Sequence, residues 1–435
     1  MRIAVIGAGH VGLVTGACFA DLGHEVICVD NDAKKIALIK QGKIPFYEPG
    51  LQDLVRINTA KKRLLFSTSI KEATEKCEVT FIAVGTPTKE TGEADLSSVE
   101  KVATEIAKHL RGYHLIVEKS TVPVETGAWV KKTIQINLRK SKKADFDLAS
   151  NPEFLREGSA IQDFMKPDRI VIGVENKRSE KILRSLYEPL NAPIVVTDVN
   201  SAEIIKHASN SFLSTKISFI NMVGQLCEKV GADIHKVAQG MGYDRRIGPG
   251  FLNAGIGFGG FCFPKDLAAF IHIAQKSGVD FKILKAVVDI NEEQKMDFVN
   301  KVKQILWNLE GKKIGALGLS FKPDTDDMRF APSVDILSAL QNQGAQICAF
   351  DPEAMPIAKT LMKGLKCVKD PYETARGADA LLILTEWNEF RELDLSRVKR
   401  LMKRPLVFDG RNIYDPKIMK DLGFQYVSTG RVPVM

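Results

Sequence analysis

The sequence predicts an α/β protein in which two doubly wound domains are joined by a long central helix. Three observations carry that expectation. Short apolar runs alternate with helix-patterned segments at both ends of the chain, a glycine-rich turn follows the first apolar run, and Ser201 to about Gly231 repeats apolar residues at helical spacing without a breaker. At 435 residues the chain is longer than one core usually organises. The expected division is 1–200, 201–310 and 311–435.

In the first region Ile3 to Ile6, Glu25 to Val29, Val79 to Val84 and Leu115 to Val117 read as strands with helices between them. That alternation implies a parallel sheet. Gly7-Ala8-Gly9-His10-Val11-Gly12 sits between the first strand and the next helical segment. In a Rossmann-like turn Gly7 would permit the tight bend, Gly9 would let backbone approach a pyrophosphate, and Gly12 would let helix and strand pack closely. His10 reads as a loop residue and Val11 as part of the same phosphate-facing turn. Asp30 closes the second strand, where a carboxylate accepts ribose hydroxyls and repels a 2′-phosphate, so the expected cofactor is NAD. Lys35 is the nearby cation that would offset this repulsion. Thr86, in Gly85-Thr86-Pro87-Thr88, follows another apolar strand and should lie at the same carboxyl edge; a plain proline-containing loop is the alternative.

The central helix carries Ile204, Ile205, Ala208, Phe212, Ile217, Ile220, Val223 and Cys227 in a helical pattern. Beyond Gly311 the strand pattern returns with Lys313 to Leu319, Ala345 to Phe350, Leu381 to Leu384 and Leu406 to Phe408. Both ends are thus expected to share one doubly wound architecture.

Composition excludes several classes. With 45% apolar and 26% charged residues the chain is globular. The N-terminus runs straight into a strand, so no signal peptide is expected, and no uncharged stretch suggests a membrane span. Seven cysteines without paired spacing suit reduced thiols in a cytoplasm, with neither disulfides nor a metal site. The net charge of +8 and the runs Arg139-Lys140-Ser141-Lys142-Lys143 and Arg397-Val398-Lys399-Arg400 lack interleaved aromatics or a nucleic-acid motif. Solvated helix faces and anionic small molecules account for them, and no nucleic-acid partner is expected.

Gly257-Phe258-Gly259-Gly260-Phe261-Cys262-Phe263-Pro264-Lys265-Asp266 is the most informative stretch. Its glycines allow close approach to a ligand, and a helix read from Leu267 to Gln275 would place Cys262 just before its N-terminus, with Pro264 and Asp266 in the first turn. A thiol in that position is a plausible nucleophile. A small buried cysteine is the plainer reading of the residue alone.

This stretch resembles the nucleophile motif of the UDP-glucose/GDP-mannose dehydrogenase family. Further family-like segments follow in order: GAGHVG, Glu118-Lys119-Ser120-Thr121-Val122-Pro123, Asn151-Pro152-Glu153-Phe154-Leu155-Arg156-Glu157-Gly158, and Phe321-Lys322-Pro323-Asp324-Thr325-Asp326-Asp327. The resemblance implies two successive oxidations using two NAD, a thiohemiacetal and then a thioester on Cys262, and a homodimer formed through the central region. It further implies that Lys206 and Asn210, one helical turn apart, stabilise an oxyanion. By the same likeness Glu153 assists thioester hydrolysis, Asp266 orders water, and Thr121 lies near that water and the cofactor. Glu157, Lys265 and Arg329 fall on its cofactor side. The sugar nucleotide would meet Glu153, Phe154, Leu155, Glu157, Lys206, Asn210, the stretch Phe251, Leu252, Asn253 to Gly257, Lys322 and Arg411, while Arg246 would reach a neighbouring subunit's substrate.

Within the family the stretches FDGRNIYDP and TEWNEF favour UDP-glucose, oxidised to UDP-glucuronate, over GDP-mannose or UDP-N-acetylmannosamine. Phe261 stands where a small serine is common, and Met222 where an acidic residue is frequent; the first departure would alter sugar fit. Two readings from other classes remain. A β-hydroxyacid-type dehydrogenase would oxidise once without Cys262, and a noncatalytic NAD sensor would keep Gly7, Gly9 and Gly12 without needing Cys262, Lys206 and Glu153 together.

Overall fold

The computed structural model describes residues 1–89, 91–138 and 144–435, and the basic run at 139–143 lies outside them. The chain forms two compact units, one made of 1–209 with 268–279 and the other of 210–267 with 280–435. Residues 201–310 are therefore shared between the two units.

The first unit is built on eight strands: β1 (Arg2–Ile6), β2 (Glu25–Val29), β3 (Leu64–Ser67), β4 (Val79–Ile82), β5 (Gly112–Glu118), β6 (Ala144–Ser150), β7 (Ile170–Val174) and β8 (Ile194–Thr197). Their order is β3-β2-β1-β4-β5-β6-β7-β8, parallel except where β7 meets β6. Helices cover both faces, so β1 is buried on both sides and reads as a continuous apolar run. Ile3 and Val5 pack on one face with Phe19 and Phe81, while Ala4 and Ile6 pack on the other with Ile82, Ile106 and Ile116. Phe19 anchors the first face, meeting Phe164 edge-on at 5.1 Å and Tyr187 at 5.4 Å. Burying such a side chain contributes roughly 1.5–3 kcal/mol.

The second unit holds β9 (Lys313–Leu317), β10 (Gln346–Phe350), β11 (Lys366–Cys367), β12 (Ala380–Ile383), β13 (Leu406–Asp409) and β14 (Gln425–Ser428), in the order β11-β10-β9-β12-β13-β14. All its pairings are parallel. In both sheets the first strand lies between the second and fourth strands of its own series. That is the order of dinucleotide-binding folds, in which ligands lie beyond the carboxyl ends of the strands where the winding reverses.

One helix, Val199–Val230, joins the units. It ends at Gly231, whose φ of +76° suits the residue that stops a helix. Among the described residues no helix is long and apolar enough to cross a membrane.

Two local expectations are corrected. The helix expected from Leu267 runs from Cys262 to Lys276, so Cys262 opens it and Asp266 falls beyond its first turn. Pro264 does not delay it, because the amides of the first turn have no partners within the helix and a proline there forfeits nothing. His10 is not a loop residue: it begins the helix His10–Asp21 directly after Gly9.

Candidate functional site

β1 delivers the chain to Gly7 at φ +106°, where a Cβ would stand 2.4 Å from the Ala83 carbonyl oxygen. A Cβ on Gly12 would come within 1.8 Å of the Gly7 oxygen. Both positions exclude a side chain. Gly9 differs, since nothing lies within 4 Å of its would-be Cβ and no side chain caps the helix it starts. Open backbone at a helix N-terminus is what a pyrophosphate needs. Val11 follows in the first turn.

Asp30 accepts the Ala8 amide at 2.9 Å, the Asp32 amide at 3.0 Å and Lys35 Nζ at 2.9 Å. Burial pushes its pKa up, but the Asp32 amide, Lys35 and the Ala8 amide outweigh that and hold it below the usual value. An ionised carboxylate is thus fixed beside the glycine turn, and Lys35 is spent on it. These residues fit a dinucleotide whose adenosine ribose carries free hydroxyls. Thr86 is buried and donates its hydroxyl to the Thr121 carbonyl at 2.8 Å, which ties the loops after β4 and β5 together.

The same unit holds a buried charged cluster. Lys206 Nζ donates to Glu153 Oε1 at 3.1 Å, and Glu153 Oε2 accepts the Leu155 amide at 2.6 Å. Lys206 also lies 5.4 Å from the centroid of the Phe154 ring, whose other cationic neighbour is Arg169 at 3.6 Å. Lys119 Nζ donates to Asn151 Oδ1 at 3.1 Å. Burial lowers the Lys119 pKa to about 8, with Glu153 opposing the shift and Lys206 adding to it. Glu157 is half-buried on the loop that follows.

In the second unit Cys262 is a half-buried thiol, outside any disulfide, in the first turn of its helix. Farther along that helix Asp266 is buried and accepts Lys265 Nζ at 2.7 Å and Asn210 Nδ2 at 2.6 Å. The loop before Cys262 is pinned from several sides. Asn221 Oδ1 takes the Gly255 amide at 2.8 Å, Asn291 exchanges hydrogen bonds with both backbone groups of Phe258 at 2.8 and 3.1 Å, and Gly260 donates to the Arg329 carbonyl at 3.0 Å. Gly260, at φ +80°, also lies under the Phe321 ring, 2.7 Å from where a Cβ would be. Arg411 braces the loop by donating to the carbonyls of Gly257, Phe321 and Leu384 at 3.2, 3.1 and 2.9 Å.

Against known proteins the match runs through the whole chain. The NAD binding domain of the UDP-glucose/GDP-mannose dehydrogenase family matches residues 1–191, its central domain 200–293 and its UDP binding domain 315–416. The chain belongs to that family. It is 48% identical over 435 residues to UDP-glucose 6-dehydrogenase TuaD of Bacillus subtilis, covering 100% of this chain and 94% of the relative. To the UDP-glucose 6-dehydrogenase of Rhizobium meliloti it is 49% identical, covering 99% and 100%. A UDP-glucose dehydrogenase structure from Pyrobaculum islandicum superimposes with a TM-score of 0.91 at 38% identity, over 98% of this chain and 96% of that one. NAD is the cofactor of this UDP-glucose/GDP-mannose dehydrogenase family member, in keeping with the Asp30 carboxylate.

The remaining expected site residues fall as follows. Lys322 Nζ lies 5.6 Å from the Phe321 ring centroid. Arg246 is exposed and paired with Asp244 at 2.6 Å. Leu252 turns its side chain into a small apolar cluster with Ile220, Cys227 and Ile234. Phe251 adopts φ +64° and Asn253 is exposed.

Several structural partners escaped the sequence reading. Glu48 accepts His10 Nε2 at 2.7 Å and the amides of Gly158 and Ala160 at 2.7 and 2.8 Å, so it joins the glycine turn to the loop after Glu153. Glu203, three residues before Lys206, accepts the Glu125 and Gly127 amides, both at 2.9 Å. Asn291 and Asn221 hold the cysteine loop. Polar residues inside apolar helical stripes were the available signal for Asn221 and Asn291; nothing local marked Glu48.

Proposed function

We propose that this chain oxidises UDP-glucose to UDP-glucuronate in two NAD-dependent steps through a covalent intermediate on Cys262. The observation that carries the reading is a thiol, outside any disulfide, opening a helix whose Lys265 and buried Asp266 are paired, Asp266 also accepting from Asn210 on the helix Val199–Val230. The names of the full-length relatives support the substrate.

Bound NAD supplies the hydride acceptor; Gly7, Gly9, His10, Val11, Gly12, Asp30, Lys35, Thr86, Thr121, Glu157, Lys265 and Arg329 are assigned to hold it. When the sugar's C6 alcohol has become an aldehyde, Cys262 gives up its thiol proton to solvent, Sγ forms a bond to the aldehyde carbon, and the C=O π pair moves onto the oxygen, which takes up negative charge. Lys206 and Asn210 stabilise that oxygen. Loss of hydride from the thiohemiacetal leaves a thioester. Water, positioned by Asp266 and Thr121, gives a proton towards Glu153 and adds to the thioester carbon; the C–S bond breaks and Cys262 is restored. Phe154, Leu155, the 251–257 loop, Lys322 and Arg411 are assigned to the sugar nucleotide.

A homodimer through the central region is supported by the exposed Phe212, Phe219, Met222, Leu226 and Val230 on the helix Val199–Val230. Arg246 is then available to a partner's substrate. Seven cysteines outside any disulfide suit a reducing cytoplasm.

The test measures NADH formed per sugar across UDP-glucose, UDP-N-acetylmannosamine and GDP-mannose. UDP-glucose should give two NADH per acid, and preference for another sugar would reassign the substrate. Cys262→Ser should abolish turnover while NADH binding survives, and Glu153→Gln should accumulate a Cys262 adduct visible by intact-protein mass spectrometry. Near-normal acid formation by Cys262→Ser would refute the covalent role.

A further inference from the structure

The reaction assigns no role to Phe261 of the cysteine loop, and its surroundings are cationic. The Arg329 guanidinium lies 4.3 Å from its ring centroid and Lys265 Nζ 5.6 Å. Each cation already has its own carboxylate. Arg329 grips Asp327 through Nε at 2.9 Å and Nη2 at 2.7 Å, and Lys265 donates to Asp266 at 2.7 Å. The two segments are also stitched by backbone, since the Gly260 amide next to Phe261 donates to the Arg329 carbonyl.

We infer that Phe261 is a positioning residue that fixes the Lys265 ammonium and the Arg329 guanidinium for binding the anionic cofactor, and that it does not shape the sugar pocket. The inference rests on the proposed placement of Lys265 and Arg329 on the cofactor side. Arg329 keeps about half of its side chain exposed even with the Asp327 fork and the Phe261 ring beside it. A long cationic side chain carries much rotamer freedom, and whatever is not removed in advance is lost when an anion binds. The Phe261 ring removes part of it, because its π-system attracts both cations. A serine would offer no such attraction.

The experiment measures NADH binding by isothermal titration, without turnover, together with separate UDP-glucose titrations. Phe261→Ser should weaken NADH binding about three- to tenfold, the range of one or two partly exposed cation–π contacts, and leave UDP-glucose binding unchanged. Phe261→Leu keeps bulk without the ring's quadrupole and should lose affinity as well, whereas Phe261→Tyr should restore it; the Leu and Tyr variants carry the test if the serine variant fails to fold. Undiminished NADH binding by Phe261→Leu, or a loss confined to UDP-glucose, would overturn the inference. Arg329→Gln separates the underlying reading: if it binds NADH normally, the cofactor-side assignment is wrong, and if it binds weakly while Phe261→Leu does not, only the role of Phe261 fails.

Discussion

Glu118 ends β5 immediately before Lys119 and the Ser120–Thr121 turn, and its carboxyl group is buried. Oε1 accepts the Ser120 amide at 2.9 Å, while Oε2 has no hydrogen-bond partner among the described residues. Burial raises its pKa from 4.5 to about 8; Ser120 opposes the shift, and the charge of Glu203 adds to it. Because the folded pKa is the higher one, Glu118 contributes stability that is complete below pH 4.5 and is lost as pH rises through about 8. Within that window the folded state binds up to one proton more than the unfolded chain, so stability declines by up to about 1.4 kcal/mol per pH unit from this group. Glu118→Gln keeps the acceptor for Ser120 and removes the titration. Any fixed cost of the amide shifts the whole curve without changing its slope. Between pH 5.5 and 7.5 the variant should therefore gain on the parent by up to about 2.7 kcal/mol, or roughly 5–10 °C for a unit of this size. Differential scanning calorimetry of both proteins across that range provides the measurement. Parallel Tm profiles would refute the reasoning, because they would mean that Glu118 exchanges no proton on unfolding.

The glycine turn and Asp30 give two further expectations. Gly12→Ala places a methyl group 1.8 Å from the Gly7 oxygen and should cost about 1–3 kcal/mol or more in stability, along with NADH binding, whereas Gly9→Ala meets no atom within 4 Å and should fold normally while weakening NADH binding; thermal unfolding and titration distinguish the two. Asp30→Asn should narrow the preference for NAD over NADP, read as the ratio of kcat/KM values, and equal efficiency with both cofactors in the parent would remove the role of Asp30.

What was legible in the sequence follows the range of the physics involved. β1, β2 and β9 announced themselves because strands buried on both faces are continuous apolar runs, and the helix Val199–Val230 because its apolar period is unbroken. β6, whose apolar residues are interrupted by Asp145 and Asp147, and the two-residue β11 carry no such run. At the candidate site, the turn geometry of Gly7 and Gly12 and the placement of Asp30 at the end of β2 were readable because both are set locally. The partners Glu48 and Asn291 act on residues far away in sequence, Glu48 on Ala160 and Asn291 on Phe258, and only the folded chain brings those pairs together. The helix start at Cys262 is hidden for a different reason: Pro264 suits the first turn of a helix from Leu267 as well as one from Cys262, because none of the first amides has a hydrogen bond within the helix to lose.

The two sheets repeat one local design and put it to different uses. Gly318 follows β9 at φ +95° and donates to the Phe350 carbonyl at 2.9 Å, as Gly7 follows β1 and donates to Val29 at 2.7 Å. Asp351 follows β10 and accepts the Leu319 and Glu353 amides at 2.7 and 3.0 Å, the counterparts of Ala8 and Asp32 on Asp30. From there the environments diverge. Asp351 is completely buried, and besides those amides it takes the Ser320 hydroxyl at 3.1 Å, the Ala354 amide at 2.8 Å and the Trp387 indole at 3.3 Å. Where Gly9 leads directly into a helix, the chain after Gly318 does not enter one until Pro332. A dinucleotide bound to the second sheet in the manner expected of the first would have to strip donors from Asp351, displace an indole and do without helix amides beside the glycine. Fold-level analogy alone would therefore assign this chain two NAD sites, whereas the residues around the two carboxylates allow one.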